Sequence, residues 1–272
     1  MPEPTSKVRT THLREKKVRG ERIVMLTAYD ASMARILDRA GADVLLVGDS
    51  LGMVVMGRPT TLEVTMEAMI HHTSAVSAAV RRALVVADMP FLSYQAGLDQ
   101  AVLNAGALLQ RGGAAAVKLE GGGVVAPAVE RITEAGIPVM GHVGLMPQAV
   151  HRMGGYRRQA TDTRGVEQLM SDARAIEEAG AFALVVECVP EAVAAGLAKA
   201  LSIPVIGIGA GPGCDGQVLV VNDMLGLTES PPPFAPLYFD AGAAIAEAVR
   251  RYASDVRAGR LGASAAGKPA DA

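Results

Sequence analysis

The chain of 272 residues is 50% apolar and 20% charged, close to the globular average, so it can bury a sizeable core and wholesale disorder is excluded. Its 26 basic and 28 acidic residues leave a net charge of -2, with five Tyr, four Phe and no Trp. That excludes a global basic field for nucleic acid or an anionic membrane, and it disfavours an aromatic platform for stacked bases. Cys188 and Cys214 are the two cysteines and lie in no CxxC or Cys/His spacing, so neither a disulfide framework nor a zinc site is expected. The polar start MPEPTSKVRT lacks the apolar segment of a secretory signal, and runs such as VLLV at 44–47 fall far short of the ~20 residues that cross a bilayer. A cytoplasmic protein of a reducing compartment is expected.

In chain order, the basic stretch 7–22 comes first and predicts a solvated leading helix or arm. A rhythm of short apolar runs and Ala-rich helical segments follows. The runs are 23–28, 43–48, 83–88, 115–120, 137–142, 182–187 and 203–209, with a weaker eighth at 217–223. Helices are expected over 31–40, 63–82 (capped by Thr60 and Thr61), 96–111, 124–135, 165–179, 190–200 and 240–258, several ending in Ala-Gly, which suits a left-handed helix stop. Nearly continuous apolar strands alternating with helices mean a parallel sheet covered on both faces. Seven clear strands and an eighth favour a closed (βα)8 barrel. An open doubly wound sheet is the alternative, but the first strand ends in Thr27-Ala28-Tyr29-Asp30 rather than in a glycine fingerprint. Residues 1–262 are expected to form a single barrel domain with its N-terminal arm, and 263–272 a disordered tail.

The polar residues fall where the strands end: Tyr29 and Asp30, Asp49 and Ser50, Asp88, Lys118 and Glu120, His142, and Glu187. In a parallel barrel these ends share one face, the face that carries active sites. Alternation predicts that Asp49 shares its face with Val47 and Leu45, Asp88 with Val86 and Leu84, and Glu187 with Val185. Any single acid here could be a helix cap. Together they would repel and pay desolvation unless a cation neutralises them, and Mg2+ takes one or two carboxylates and completes its shell with water or substrate oxygen. Asp49, Asp88 and Glu120 balance Lys118 plus Mg2+, which leaves Glu187 to serve as a further ligand, a cap or a general base. The glycine run 207–213 lacks the Walker spacing, the loop 51–62 is long enough to form a lid, and Cys188 is expected to point away from Glu187 as an inert thiol.

Eight co-linear segments then carry a resemblance: TAYD (27–30), LLVGDSLGM (45–53), ADMPF (87–91), VKLEGG (117–122), GHVGLMPQ (141–148), GGY (154–156), LVVECVP (184–190) and IPVIGIGAG (203–211). Together they resemble the ketopantoate hydroxymethyltransferases from about residue 10 to 258. The resemblance implies a (βα)8 barrel of the phosphoenolpyruvate mutase and isocitrate lyase type, assembled as a homo-oligomer, commonly a decamer. It implies one Mg2+ per subunit held by Asp49 and Asp88 with Glu120 in or beside the shell. Ser50 and Lys118, with Asp49 and Asp88, would hold a 2-oxo acid. Glu187 would be the base, and 5,10-methylenetetrahydrofolate the one-carbon donor, through residues the motifs do not identify. Tyr29 and His142 are candidates for positioning. The nearest alternative is a carbon–carbon lyase of the same superfamily, but that type often carries a reactive Cys in a loop after its third or fourth strand, and here no Cys precedes 188.

Overall fold

A computed structural model describes residues 6–261 of the chain; the tail expected at 263–272 lies outside the described residues. The described residues fall into two compact units, the first ending at Val221 and the second beginning at Asn222.

The first unit is a closed barrel of eight parallel strands in sequence order. The strands are β1 (Ile23–Thr27), β2 (Val44–Val47), β3 (Leu84–Asp88), β4 (Ala116–Glu120), β5 (Val139–Gly144), β6 (Ala183–Glu187), β7 (Val205–Ile208) and β8 (Gly216–Leu219). All eight expected strands are present. The helices are α1 (Thr10–Arg19), α2 (Ala31–Arg39), α3 (Leu51–Val54), α4 (Met66–Ala79), α5 (Leu98–Gln110), α6 (Ala126–Glu134), α7 (Val150–Met153), α8 (Thr163–Glu178) and α9 (Glu191–Ala200); α10 (Val221–Met224) meets the unit boundary. The long loop 51–62 contains α3. Thr60 and Thr61 do not cap the helix that follows; Thr65 does, its hydroxyl accepting from Ala68 N–H at 3.2 Å, because the chain first turns through 59–63 before the helix begins.

The barrel interior is filled by one side-chain cluster: Ile23, Met25, Val44, Leu46, Leu84, Val86, Ala116, Met140, Ala183, Val185, Ile206 and Val218. Branched aliphatics in layers are what a (βα)8 interior requires. The alternation expected for β3 and β6 holds. For β2 it does not: Val44 and Leu46 face inward, not Leu45 and Val47. The inward position after Leu46 is therefore Gly48, and Asp49 reaches the mouth because the strand has already ended and the chain is turning. Alternation cannot be carried past a strand's last ladder bond.

The leading segment is more than a solvated arm. Leu13 of α1 is wholly buried and, with Val8, joins the interior cluster. Lys16 pairs with Asp43 at 2.9 Å and Lys17 with Asp215 at 2.7 Å. Asp43 and Asp215 immediately precede β2 and β8, so α1 closes the floor of the barrel, opposite the end at which the strands' polar residues emerge.

In the second unit, α11 (Ala241–Arg257) is capped by Asp240, whose carboxylate accepts from Ala243 N–H at 2.8 Å. Ile245, Val249, Tyr252 and Val256 form an exposed apolar stripe at helical spacing.

Candidate active site

The chemistry gathers where β2 to β6 end. Asp88 closes β3, and its Oδ2 accepts the Asp49 backbone N–H at 3.0 Å. This bond joins the turn after β2 to the end of the neighbouring strand. Asp88 Oδ1 lies 2.9 Å from Lys118 Nζ, an ion pair at angles outside hydrogen-bond geometry. Lys118 and Glu120 stand two apart on β4 and both face the mouth, as alternation predicts. Lys118 Nζ lies 3.2 Å from His142 Nδ1 on β5, and His142 Nε2 lies 3.3 Å from Glu187 Oε2 at the end of β6. His142 Nδ1 is also 3.8 Å from Glu120 Oε1. Five strands thus contribute to one constellation, and Asp49, Asp88, Lys118, Glu120 and Glu187 are brought together as expected. Ser50 meets Tyr29 through hydroxyls 2.8 Å apart.

Glycines make this crowding possible. A Cβ on Gly48 would stand 2.7 Å from Ser50 Oγ and 3.5 Å from Asp88 Oδ2, so the bare position leaves the carboxylates and the hydroxyl room. At the end of β5, Gly144 has φ +94°, and a Cβ there would stand 2.3 Å from the Glu187 carbonyl oxygen. Only glycine fits both that conformation and that approach.

The electrostatics follow from burial. Lys118 is the single ammonium among Asp88, Glu120 and Asp49. Burial opposes its charge, but the three acids outweigh burial and hold its pKa above the usual lysine range. Burial, reinforced by Asp88, pushes the Asp49 carboxyl up to about 7. Burial and then Asp49 push Glu120 well above the carboxylate range. His142 is held below the ordinary histidine value, first by burial and then by Lys118. Its imidazole is therefore neutral. Lysine can only donate, so Nδ1 faces Lys118 as acceptor and the ring proton sits on Nε2, toward Glu187. The contact to Glu187 is 3.3 Å and bent away from ideal hydrogen-bond geometry. Glu187 is the most accessible of the acids, its side chain 14% exposed against 3–4% for Asp88 and Glu120.

Burial and mutual repulsion disfavour ionising all three carboxylates beside one ammonium, and a hard divalent cation would offset the negative charge that ionisation brings. Among the described residues, no three His, Cys, Asp or Glu side chains form a ready metal cage. Mg2+ does not need one: it is commonly held by one or two carboxylates and completes its shell with water or substrate. Asp49 and Asp88, tied through one hydrogen bond, suit that mode. Glu120 is more committed to protein, since its Oε2 accepts Gln148 N–H at 2.9 Å.

Other polar residues near the strand ends serve structure. Asp30 caps α2, accepting from Ser32 and Met33 N–H at 2.8 and 2.9 Å. His72 Nδ1 contacts the Tyr29 carbonyl at 2.7 Å. Burial, then Glu187, pushes the half-buried Cys188 thiol up, which suits an inert cysteine. Gln148 and Tyr94 end no strand and so carry no strand-end signal; both are buried, Gln148 bonded to the Asp49 carboxylate and Tyr94 to Gln148 and to the Glu120 backbone. The only signal for Gln148 was its place at the end of GHVGLMPQ. Tyr156 also ends no strand; its hydroxyl lies 3.8 Å from Met53 Sδ and its pKa is raised by burial and by Asp49, Glu187 and Glu120.

A family model described as ketopantoate hydroxymethyltransferase matches residues 7–263. A 3-methyl-2-oxobutanoate hydroxymethyltransferase from Syntrophus aciditrophicus is 53% identical over 254 residues, covering 93% of both chains. The enzyme of the same name from Geotalea daltonii is 54% identical, covering 91% of this chain and 93% of that one. Among solved structures, a phosphonopyruvate hydrolase bound to oxalate and Mg2+ superposes with a TM-score of 0.62 at 15% identity, covering 96% of this chain and 91% of that one. A 2,3-dimethylmalate lyase of the phosphoenolpyruvate mutase and isocitrate lyase superfamily gives 0.59 at 18% identity, covering 96% and 92%. These two likenesses show the fold alone, a (βα)8 barrel.

Proposed function

The chain belongs to the ketopantoate hydroxymethyltransferase family, and from that membership we propose how its residues divide the reaction. The enzyme transfers a hydroxymethyl group from 5,10-methylenetetrahydrofolate to 3-methyl-2-oxobutanoate, giving 2-dehydropantoate and tetrahydrofolate, the first committed step of pantothenate biosynthesis. The family implies Mg2+ and folate chemistry.

In this reading Asp49 and Asp88 hold the metal, with Glu120 behind them, and Ser50 and Lys118 bind the oxoacid beside it. When bound, Mg2+ would supply an electrophile for the keto and carboxylate oxygens of the substrate. Glu187 takes the proton from C3, the branched carbon next to the carbonyl. The C–H electron pair forms the C2–C3 double bond of an enolate, and C3 then attacks the one-carbon unit. Both bonds from that one-carbon unit to the folate nitrogens break, water supplies the hydroxyl oxygen, and the proton taken from C3 and one proton of water end on the two nitrogens of tetrahydrofolate. Lys118, kept charged by Asp88, offsets the substrate carboxylate. His142 spans Lys118 and Glu187, so the residue that binds the substrate's charge also orients the base. The observation that carries this reading is the unbroken chain Asp88–Lys118–His142–Glu187, with contacts of 2.9, 3.2 and 3.3 Å across β3 to β6, ending in the accessible carboxylate.

The test is exchange of the C3 proton of 3-methyl-2-oxobutanoate in deuterated water without folate. Wild type should exchange in a Mg2+-dependent way, and Glu187→Gln should lose exchange almost completely while still binding the oxoacid. Equal exchange in both would remove Glu187 from the role of base.

Among the described residues, no helix is long and apolar enough to cross a membrane. A cytoplasmic homo-oligomer, a decamer as in the family, is the proposed working form; the exposed stripe on α11 is a surface that self-association would cover. Sedimentation at micromolar concentration tests it.

A further inference from the structure

We propose that Gln148 is a positioning residue that aims the Asp49 carboxylate at the metal and the oxoacid. The inference rests on the reading of Asp49 as a metal ligand. Directly after β5, Pro147 starts a short 3-10 turn (Pro147–Ala149), which lays the Gln148 side chain across the barrel mouth. The residue is buried and all its side-chain polar atoms are used. Nε2 donates to Asp49 Oδ2 at 2.8 Å and to the Met89 carbonyl at 2.9 Å. Oε1 lies 2.8 Å from the Tyr94 hydroxyl and 3.4 Å from Gln95 Nε2. Its backbone N–H donates to Glu120 Oε2 at 2.9 Å.

The orientation of this amide is forced by chemistry. A carboxylate and a carbonyl can only accept, so the nitrogen must face Asp49 and Met89, and the oxygen must face Tyr94. Tyr94 is itself held by the β4 end, within 2.9 Å of the Glu120 carbonyl, and it accepts Glu120 N–H at 3.1 Å. Gln148 therefore bridges the turn after β2 to the ends of β3 and β4, from a position 99 residues along the chain. It engages Oδ2 alone, which limits the carboxylate's rotation without occupying Oδ1, and so would present Asp49 to the cation it would hold. Partners behind a metal ligand are commonly worth 10–100-fold in metal affinity.

The test uses the full-length protein and two substitutions. Gln148→Met keeps length and removes both donor and acceptor. Tyr94→Phe keeps the ring and removes the hydroxyl that pins Oε1. Mg2+ binding is measured by calorimetry and Mn2+ binding by electron paramagnetic resonance, beside thermal melts in chelator. We expect Gln148→Met to melt cooperatively and to bind either metal at least ~10-fold more weakly, and Tyr94→Phe to show a smaller loss in the same direction. A plug that merely fills space would lower the melting temperature and leave metal affinity alone. A folded Gln148→Met with wild-type affinity overturns the proposal. If Gln148→Met does not fold, Tyr94→Phe decides, and unchanged affinity there overturns it. Asp49→Asn is the control for the underlying reading: wild-type metal binding by that variant removes Asp49 as a ligand, whatever Gln148 does, and takes the proposal with it.

Discussion

Asp49→Asn should make the metal-free protein more stable while abolishing its use of metal. The Asp49 carboxyl is buried, and burial together with Asp88 pushes its pKa up to about 7 from an ordinary value of 3.8. The folded protein thus holds a proton that the unfolded chain releases. Stability from this group is full below about pH 3.8 and is lost as pH rises toward 7. At 1.36 kcal/mol per pH unit, the loss above pH 7 amounts to about 4 kcal/mol at most. Asparagine carries no charge at any pH, and its carbonyl can still accept from Gln148 Nε2. Allowing for readjustment of Lys118 and Asp88, the gain at pH 8 in chelator should be about 2–4 kcal/mol. That is a rise of roughly 5–15 °C in melting temperature for a chain of this size. Urea denaturation of both proteins at pH 8 and pH 4, with and without Mg2+, measures it. The gain should shrink toward pH 4, and Mg2+ should stabilise only the wild type. A variant no more stable than wild type at pH 8, or a gain undiminished at pH 4, would refute the reasoning.

Three further outcomes follow from the same contacts. His142→Phe keeps a ring between Lys118 and Glu187 but removes both nitrogens; C3 proton exchange should fall about 10–100-fold with oxoacid binding retained, and an unchanged exchange rate would show that Glu187 is oriented without it. Asp38→Ala strips the carboxylate that accepts from Arg81, Arg82 and Ala83 N–H at 2.8, 3.1 and 2.7 Å, so urea unfolding should show a loss of about 3 kcal/mol, and less than about 1 kcal/mol would contradict it. Burial would raise Asp43, but Lys16, the Val24 N–H and Arg82 hold it below the usual carboxylate value. A lowered folded-state pKa stabilises above about 3.8 and loses that contribution as pH falls through it, so the stability gap between wild type and Asp43→Asn should stay constant from pH 8 to 5 and narrow below pH 4.

Much of the site was legible because its residues end strands. Asp88, Lys118, Glu120 and Glu187 each follow a run of branched apolar residues, and alternation places them on the inner face. Asp49 was found for the right reason of position and the wrong reason of parity, since β2 stops at Val47 and its inward face runs through Val44 and Leu46. Asp30 has the same strand-end signature and is a helix cap instead. That difference lies in the turn that follows the strand, and the strand itself does not encode it.

The sequence by itself determined the number and order of the strands, the parallel barrel and the face on which the acids emerge, because hydrophobic period and punctuation are local properties of the chain. Only the tertiary structure decided that Leu13 seals the floor, that a neutral His142 stands between Lys118 and Glu187, and that Gln148 reaches Asp49. Those facts depend on which backbone turns come within hydrogen-bond distance once the barrel has closed, and closure joins segments about a hundred residues apart, whose proximity no local pattern records.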